Sequence, residues 1–307
     1  MIVITGASGL LGSSLVALAH EQSREIMALC RRPLPHLEGV KQALIDLTDE
    51  SKIRDLLRTL KPSAVIHCAA ETNVDGCQDH PGTAEAINVT GARRIAEACA
   101  QINARMLYIS TDSVFDGARG NYSEGDATGP LNVYAATKLR GEMAVLNANP
   151  LTAVARVTLY GWSPRQRGLA EWIFGQLSSG CEVPGFVDAV FCPLLANDLA
   201  EILFDMMDRG LSGLYHVVGS EAVSKFEFAR CLASTFGLDP SRVTPARLSE
   251  AQLRAPRPPN TSLNTTKISG AIGRSMPDLD SGLLRFAQLR HSGYAARLKG
   301  MLTEARV

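Results

Sequence analysis

The opening residues MIVITGASGLLG constrain this chain more tightly than any later stretch. Met1 to Thr5 is a short apolar run rich in β-branched residues, which predicts a buried strand. Gly6-Ala7-Ser8-Gly9-Leu10-Leu11-Gly12 follows, and the stripe Leu11, Leu15, Leu18 starts a helix. Gly6 permits a tight turn, Gly9 lets backbone come close to a bound group, and Gly12 lets the helix pack hard against the strand. A helix N-terminus at such a turn offers unpaired N–H groups and the positive end of its dipole, so it suits an anion. The expectation is a dinucleotide pyrophosphate held by Gly6, Ser8, Gly9, Leu10, Leu11 and Gly12. The spacing is GxxGxxG rather than GxGxxG, and a glycine triplet alone also fits a plain strand–helix turn; the strand before it and the helix after it carry the reading.

The same alternation continues. Glu25–Cys30, Gln42–Ile45, Ala64–Cys68 and Met106–Ile109 read as strands, with helices expected over Thr48–Leu60 and His80–Gln101. Strands alternating with helices of this length predict an α/β fold, a Rossmann-type doubly wound parallel sheet. Beyond Arg156 the alternation loosens into Val154–Val157, helices at Ala196–Met207 and Lys225–Phe236, and a short strand at Leu214–Val218. This predicts a smaller C-terminal α+β substrate-binding lobe, residues 156–307, after a cofactor domain of residues 1–155, the two interleaved near 190–210.

Ligands of such sheets bind outside the strand C-termini. The expected cofactor contacts there are Asp46, Leu47, Cys68, Ala69, Ala70, Thr72, Asn88, Ser110 and Val157. Asp46 could accept from an adenine amino group or cap the following helix. After the second strand stand Arg31 and Arg32, where an NAD-preferring site carries an acidic residue; a guanidinium fork suits a 2′-phosphate, so NADP(H) is favoured over NAD(H).

Composition excludes several classes. Lys+Arg and Asp+Glu are both 31, with no charge block, which argues against nucleic acid or an anionic membrane as partner. The seven cysteines are scattered, without metal-ligand spacing, and read as reduced thiols in a cytoplasm. The N-terminal run lacks Lys or Arg before Arg24, so a secretory leader is not expected, and no stretch reaches the length of a membrane span.

Tyr134 and Lys138, in PLNVYAATKLRGE, lie four apart on a helix predicted to start near Leu131 with Pro130 as its punctuation. An ammonium beside a phenol lowers the phenol pKa and makes it a usable acid or base, and Thr111 at a strand end can hydrogen-bond a substrate carbonyl. YxxxK alone is often structural; its placement after a dinucleotide turn gives it weight.

With TGASGLLG (5–12), DLTD (46–49), AAETNVDGC (69–77), INVTGARRIAEAC (87–99), YISTDSVFDG (108–117), PLNVYAATKLRGE (130–142) and RPPNTSLNTTK (257–267), the chain resembles the extended short-chain dehydrogenase/reductases, and within them the dTDP-4-dehydrorhamnose reductase group. The resemblance runs end to end. It implies Thr111, Tyr134 and Lys138 as catalytic residues, with Tyr134 and Lys138 also meeting the cofactor, and an NADPH-dependent reduction of a ketone on a nucleotide-linked sugar. Thr111-Asp112-Ser113 lacks the Asp-Glu pair of related dehydratases. Candidate substrate contacts are Thr111, Val114, Phe115, Asn132, Trp162 and Arg257; Trp162 could equally be core, and Arg257 could meet a substrate phosphate or sit on a surface loop. Ala189 and Leu194 stand where the group carries Gln and Thr, which implies a more apolar substrate wall, and Glu71 replaces an aromatic or apolar residue. Two alternatives stay open: a non-catalytic NADP-binding subunit resembling the regulatory subunit of methionine adenosyltransferase, and a reductase of a non-sugar ketone. The expected partner is a small ketone, and the sequence leaves a homodimer open.

Overall fold

The computed structural model describes residues 1–31, 40–47, 49–166 and 168–303, the last five without side chains. Its centre is a seven-stranded parallel sheet. The strands β1 (Ile2–Thr5), β2 (Ile26–Cys30), β3 (Lys41–Leu44), β4 (Ala64–His67), β5 (Arg105–Thr111) and β6 (Thr152–Val157) are joined by a seventh, Gly213–His216. The order across the sheet is Gly213–His216, β6, β5, β4, β1, β2, β3. Successive strands are added on one side of β1 up to β3 and on the other side from β4, so the crevice for a ligand opens where β1 and β4 end. The last strand comes from far along the sequence, pairing in register with β6 from Gly213↔Ala153 to His216↔Arg156.

Both faces are covered. Leu15 and Val16 of helix α1 (Leu10–Glu21) meet Leu199, Leu203 and Phe204 of the helix Ala196–Asp208 over one face. On the other, Ile53 and Leu57 of helix α2 (Glu50–Leu60) pack with Ile95, Met106 and Tyr108. Each such fully buried side chain stabilises the fold by about 1.5–3 kcal/mol. A third cluster holds Trp162, Phe228 and Phe286. Among the described residues no helix is long and apolar enough to cross a membrane.

Several element ends differ from expectation for local reasons. Helix α2 starts at Glu50, because Asp49 rather than Asp46 accepts the Lys52 amide at 3.2 Å. The expected His80–Gln101 helix is a continuous run of Pro81–Glu85, a π-helical turn Ala86–Gly91 and Ala92–Gln101. The helix bearing Tyr134 is Val133–Ala148: Asn132 caps it by accepting the Ala135 amide at 2.9 Å, and Pro130 lies outside.

Gly141 shows how closely that helix meets the sheet. A Cβ there would stand 2.3 Å from Tyr108 Oη and 2.5 Å from the Asn88 carbonyl oxygen. Replacing a helical Gly with Ala normally gains about 1 kcal/mol. Here Gly141→Ala is expected to destabilise by about 1–3 kcal/mol, because the clash overpacks the contact; an unchanged or raised urea midpoint would refute this. A second expectation concerns pH. Burial, helped by the Lys138 charge, holds the His67 imidazole at a pKa of about 3 against an ordinary 6.5. The unfolded chain binds that proton and the folded one does not, so His67 contributes stability above pH 6.5 that is lost as pH falls toward 3. The drop in urea midpoint between pH 7 and pH 4 should therefore be smaller in His67→Gln than in the parent, and equal drops would count against it.

Candidate active site

The β1–α1 turn is built by backbone contact. Gly6 sits at φ +65°, and its carbonyl would be 2.2 Å from a Cβ on Gly12. A side chain on Gly12 would push the helix off the turn, and one on Gly6 would stand 2.7 Å from the Ala69 amide nitrogen after β4. No side chain caps α1 at Gly9, and Gly9, Leu10, Leu11 and Gly12 at the helix start line the cavity.

That turn forms one wall of a cavity of about 520 Å³. Gly6, Ser8, Gly9, Leu10, Leu11 and Gly12 line it, as do Arg31, Asp46 and Leu47 after β2 and β3, and Cys68, Ala69, Ala70 and Thr72 after β4. Ser110 and Thr111 close it from β5, Tyr134 and Lys138 from the Val133–Ala148 helix, and Val157 from β6. Arg32 lies outside the described residues. The glycine cradle, the uncapped helix start and an arginine at the far end of the cavity together fit a phosphorylated dinucleotide.

Other expected contacts sit elsewhere. Asn88 is 1% exposed and away from the cavity: its amide accepts the Glu71 N–H at 2.8 Å and donates to the Glu71 carbonyl and Thr137 Oγ1, pinning the segment after β4 to the Tyr134 helix. Val114 and Phe115 are fully buried in a small cluster, where Phe115 stacks on Tyr122 at 4.2 Å between centroids. Asn132 spends its side chain on the helix cap and on the Pro256 carbonyl. Trp162 is core: it stacks on Phe286 and donates its indole N–H to the Phe286 carbonyl at 2.9 Å. Arg257 binds the Ala255 carbonyl and Asp75. Ala189 and Leu194 are 5% and 1% exposed and lie outside the cavity, so that change packs the interior rather than the expected substrate wall.

Sequence reasoning missed Leu29, Cys30, Ile45, Ile87, Ile109, Asp112, Thr158, Leu159 and Arg165, all at the cavity wall. Ile109 and Asp112 flank residues already singled out and were findable by extending the strand end; Arg165, on a loop, carried no signal.

The reactive groups converge at the end of β5. Thr111 Oγ1 donates to Asp112 Oδ1 at 3.0 Å, and Asp112 Oδ2 accepts from Thr261 Oγ1 at 2.5 Å. Lys138 Nζ donates to the Ile109 carbonyl at 2.6 Å and sits 4.0 Å from the centroid of the Tyr108 ring. Burial pulls the Lys138 ammonium down to about 7, while Glu142 opposes the shift. Burial also pushes the Tyr134 phenol above its ordinary value, with the Thr111 hydroxyl pulling the other way. This corrects the expected downward shift: desolvation outweighs any nearby charge, and the groups acting on the phenol are Thr111, Asp112 and Cys77.

The family model of the RmlD substrate binding domain matches residues 1–290. The chain is 36% identical over 275 residues to the dTDP-4-dehydrorhamnose reductase of Mycobacterium tuberculosis, covering 86% of this chain and 84% of the relative. It is 32% identical over 285 residues to a probable low-salt glycan biosynthesis reductase of Haloferax volcanii, covering 91% and 95%. Over 291 residues it is 34% identical to methionine adenosyltransferase 2 subunit beta of Bos taurus, covering 90% and 84%. The solved dTDP-4-dehydrorhamnose reductase of Bacillus anthracis, in complex with NADP, superposes with a TM-score of 0.84 at 28% identity, covering 94% of this chain and 98% of that one. A match through nearly the whole chain, on a sheet of the same kind, means that this protein belongs to the RmlD substrate binding domain family.

Proposed function

We propose that the protein is an NADPH-dependent reductase of the short-chain dehydrogenase/reductase class that reduces the ketone of a nucleotide-linked sugar, of the kind its dTDP-4-dehydrorhamnose reductase relatives act on. The observation that carries the reading is the convergence of Thr111, Tyr134 and Lys138 in the cavity that also holds the glycine turn and Arg31. When bound, the nicotinamide supplies a hydride to the carbonyl carbon. Tyr134, kept protonated by its surroundings, is the proton donor to the oxygen that becomes an alkoxide. Thr111 would turn its one hydroxyl proton, donated to Asp112 Oδ1 in the free protein, to the same oxygen. Lys138 holds the cofactor ribose, and Arg31 takes the 2′-phosphate. A phenol held protonated suits the reductive direction, because oxidation would need it as a base.

None of the seven cysteines is in a disulfide, which fits a reducing cytoplasm. A homodimer belongs to the same proposal. The similarity to methionine adenosyltransferase 2 subunit beta supports a second reading, an NADP-binding subunit without turnover.

Oxidation of NADPH in the presence of dTDP-4-dehydrorhamnose separates the two. Turnover is expected, and Tyr134→Phe should lower kcat by at least about 100-fold while NADPH still binds. Tight NADPH binding with no turnover in the parent protein would favour the second reading. Arg31→Ala should raise the KM for NADPH by about tenfold or more and leave that for NADH nearly unchanged, since a hydrogen bond to a charged group is worth about 1.5–3 kcal/mol. Equal effects on both cofactors would remove Arg31 from the 2′-phosphate site.

A further inference from the structure

Tyr134, Lys138 and Glu142 follow one another at intervals of four on the Val133–Ala148 helix, so they form a ladder along one face. The first two line the cavity. Glu142 is 3% exposed and lies behind it. A carboxylate at such depth is costly unless every oxygen is used, and here they are. Ser110 Oγ donates to Oε1 at 2.5 Å. Arg156 Nε donates to Oε1 at 3.0 Å and to Oε2 at 3.3 Å, and Arg156 Nη2 to Oε2 at 2.8 Å. Arg156 is as buried as its partner, stands 5.0 Å over the Phe115 ring, and meets His216 Nε2 at 3.4 Å. Burial keeps His216 neutral, and its backbone amide donates to Glu124.

This arrangement is joined to the cavity twice. Ser110, which holds Glu142, is itself a cavity residue, next in β5 to Ile109, whose carbonyl takes the Lys138 ammonium. Glu142 is also the charge opposing the desolvation of Lys138. Cys68 opposes it less than Glu142 does, being held as a thiol whose pKa is pushed up to about 12, and His67 is neutral. Tyr134 and Tyr108 both keep their phenol protons.

We infer that Glu142 is a positioning residue for this centre: clamped by Ser110 and Arg156, its carboxylate keeps Lys138 a charged ammonium at the cavity floor. The use of that ammonium rests on the reductase reading; its charge does not. Glu142 touches neither cofactor nor substrate and acts through Lys138 and Ser110.

The test reads Lys138 directly. The full chain is labelled with 15Nζ,13Cε-lysine, the Lys138 signal is assigned with Lys138→Arg, and its titration is followed by NMR. In the parent protein the midpoint is expected near pH 7. In Glu142→Gln it should fall by at least one pH unit, and in Glu142→Asp, which keeps the charge, it should return toward the parent value. Glu142→Gln leaves Arg156 stranded and can fail to fold, so Glu142→Gln/Arg156→Gln is measured beside it; it removes the guanidinium as well as the carboxylate, so a downward shift smaller than that of the single variant is expected. The limb of kcat/KM that falls as pH rises, where the ammonium is lost, should move down with the titration. A folded double variant whose Lys138 titrates as in the parent would overturn the inference. A shifted titration in a protein that turns over no ketone would support the role of Glu142 and sink the reductase reading.

Discussion

Tyr108 stands in β5 with no exposed surface, and its ring and hydroxyl set the distance between the sheet and the helix that carries Tyr134 and Lys138. The hydroxyl donates to the Asn88 carbonyl at 3.2 Å, which ties β5 to the π-helical turn. The ring lies beneath the Lys138 ammonium and stacks on His67 of β4. Only a residue without a side chain fits against the hydroxyl from the helix, which is why position 141 is glycine. Sheet, π-helical turn and helix therefore meet around one aromatic ring, and a shift of that ring would move both reactive side chains. Buried aromatic contacts of this kind are stiff because interiors are close-packed.

Burial also decides the chemistry. The same desolvation that raises the phenol lowers the ammonium, so each group is pushed toward its neutral form. The protonated phenol is the useful form for giving a proton to a nascent alkoxide. The neutral amine is not useful, and a buried cation needs a partner to stay charged. The fold places one a turn further along the same helix, itself fixed by a guanidinium from β6. Side-chain spacing on one helix thus sets a phenol, an ammonium and a carboxylate in order.

The doubly wound sheet and much of the cavity lining were legible because both are written in local pattern. Strand, glycine turn and helix are contiguous, and strand ends in a parallel sheet fall on one edge wherever they occur in the chain. Asp49 rather than Asp46 as the cap of α2 was harder to see, since two aspartates three apart read alike until one amide is found to point at one of them. Asn88 was misplaced for a related reason: its position on the helix was right, but the π-helical turn directs its amide at Glu71 and Thr137 rather than into the cavity. The direction of the Tyr134 shift was beyond the sequence altogether, because desolvation depends on what covers the ring.

The substrate side was least legible, and its construction explains why. The loop that carries its candidate Arg257 is joined to residues across most of the chain. Asp75 accepts the Ala255 amide at 3.0 Å and pairs with Arg257 at 3.2 Å; Asp79 pairs with Arg254; Asp112 accepts Thr261. Ion pairs as exposed as these stabilise a fold by only about 0–1 kcal/mol, so their effect is on where the loop stands rather than on whether the chain folds. Such pairs have no periodicity and no fixed spacing, and nothing in a linear reading links position 75 to position 257. Arg257 read as a phosphate ligand because an arginine beside two prolines is rigid and charged. In the fold that charge is directed at Asp75, and only those of its five N–H groups not used on Asp75 and Ala255 can be offered to an anion. The loops of this architecture are accordingly placed by pairing across the chain, whereas the cavity is lined from the sheet edge.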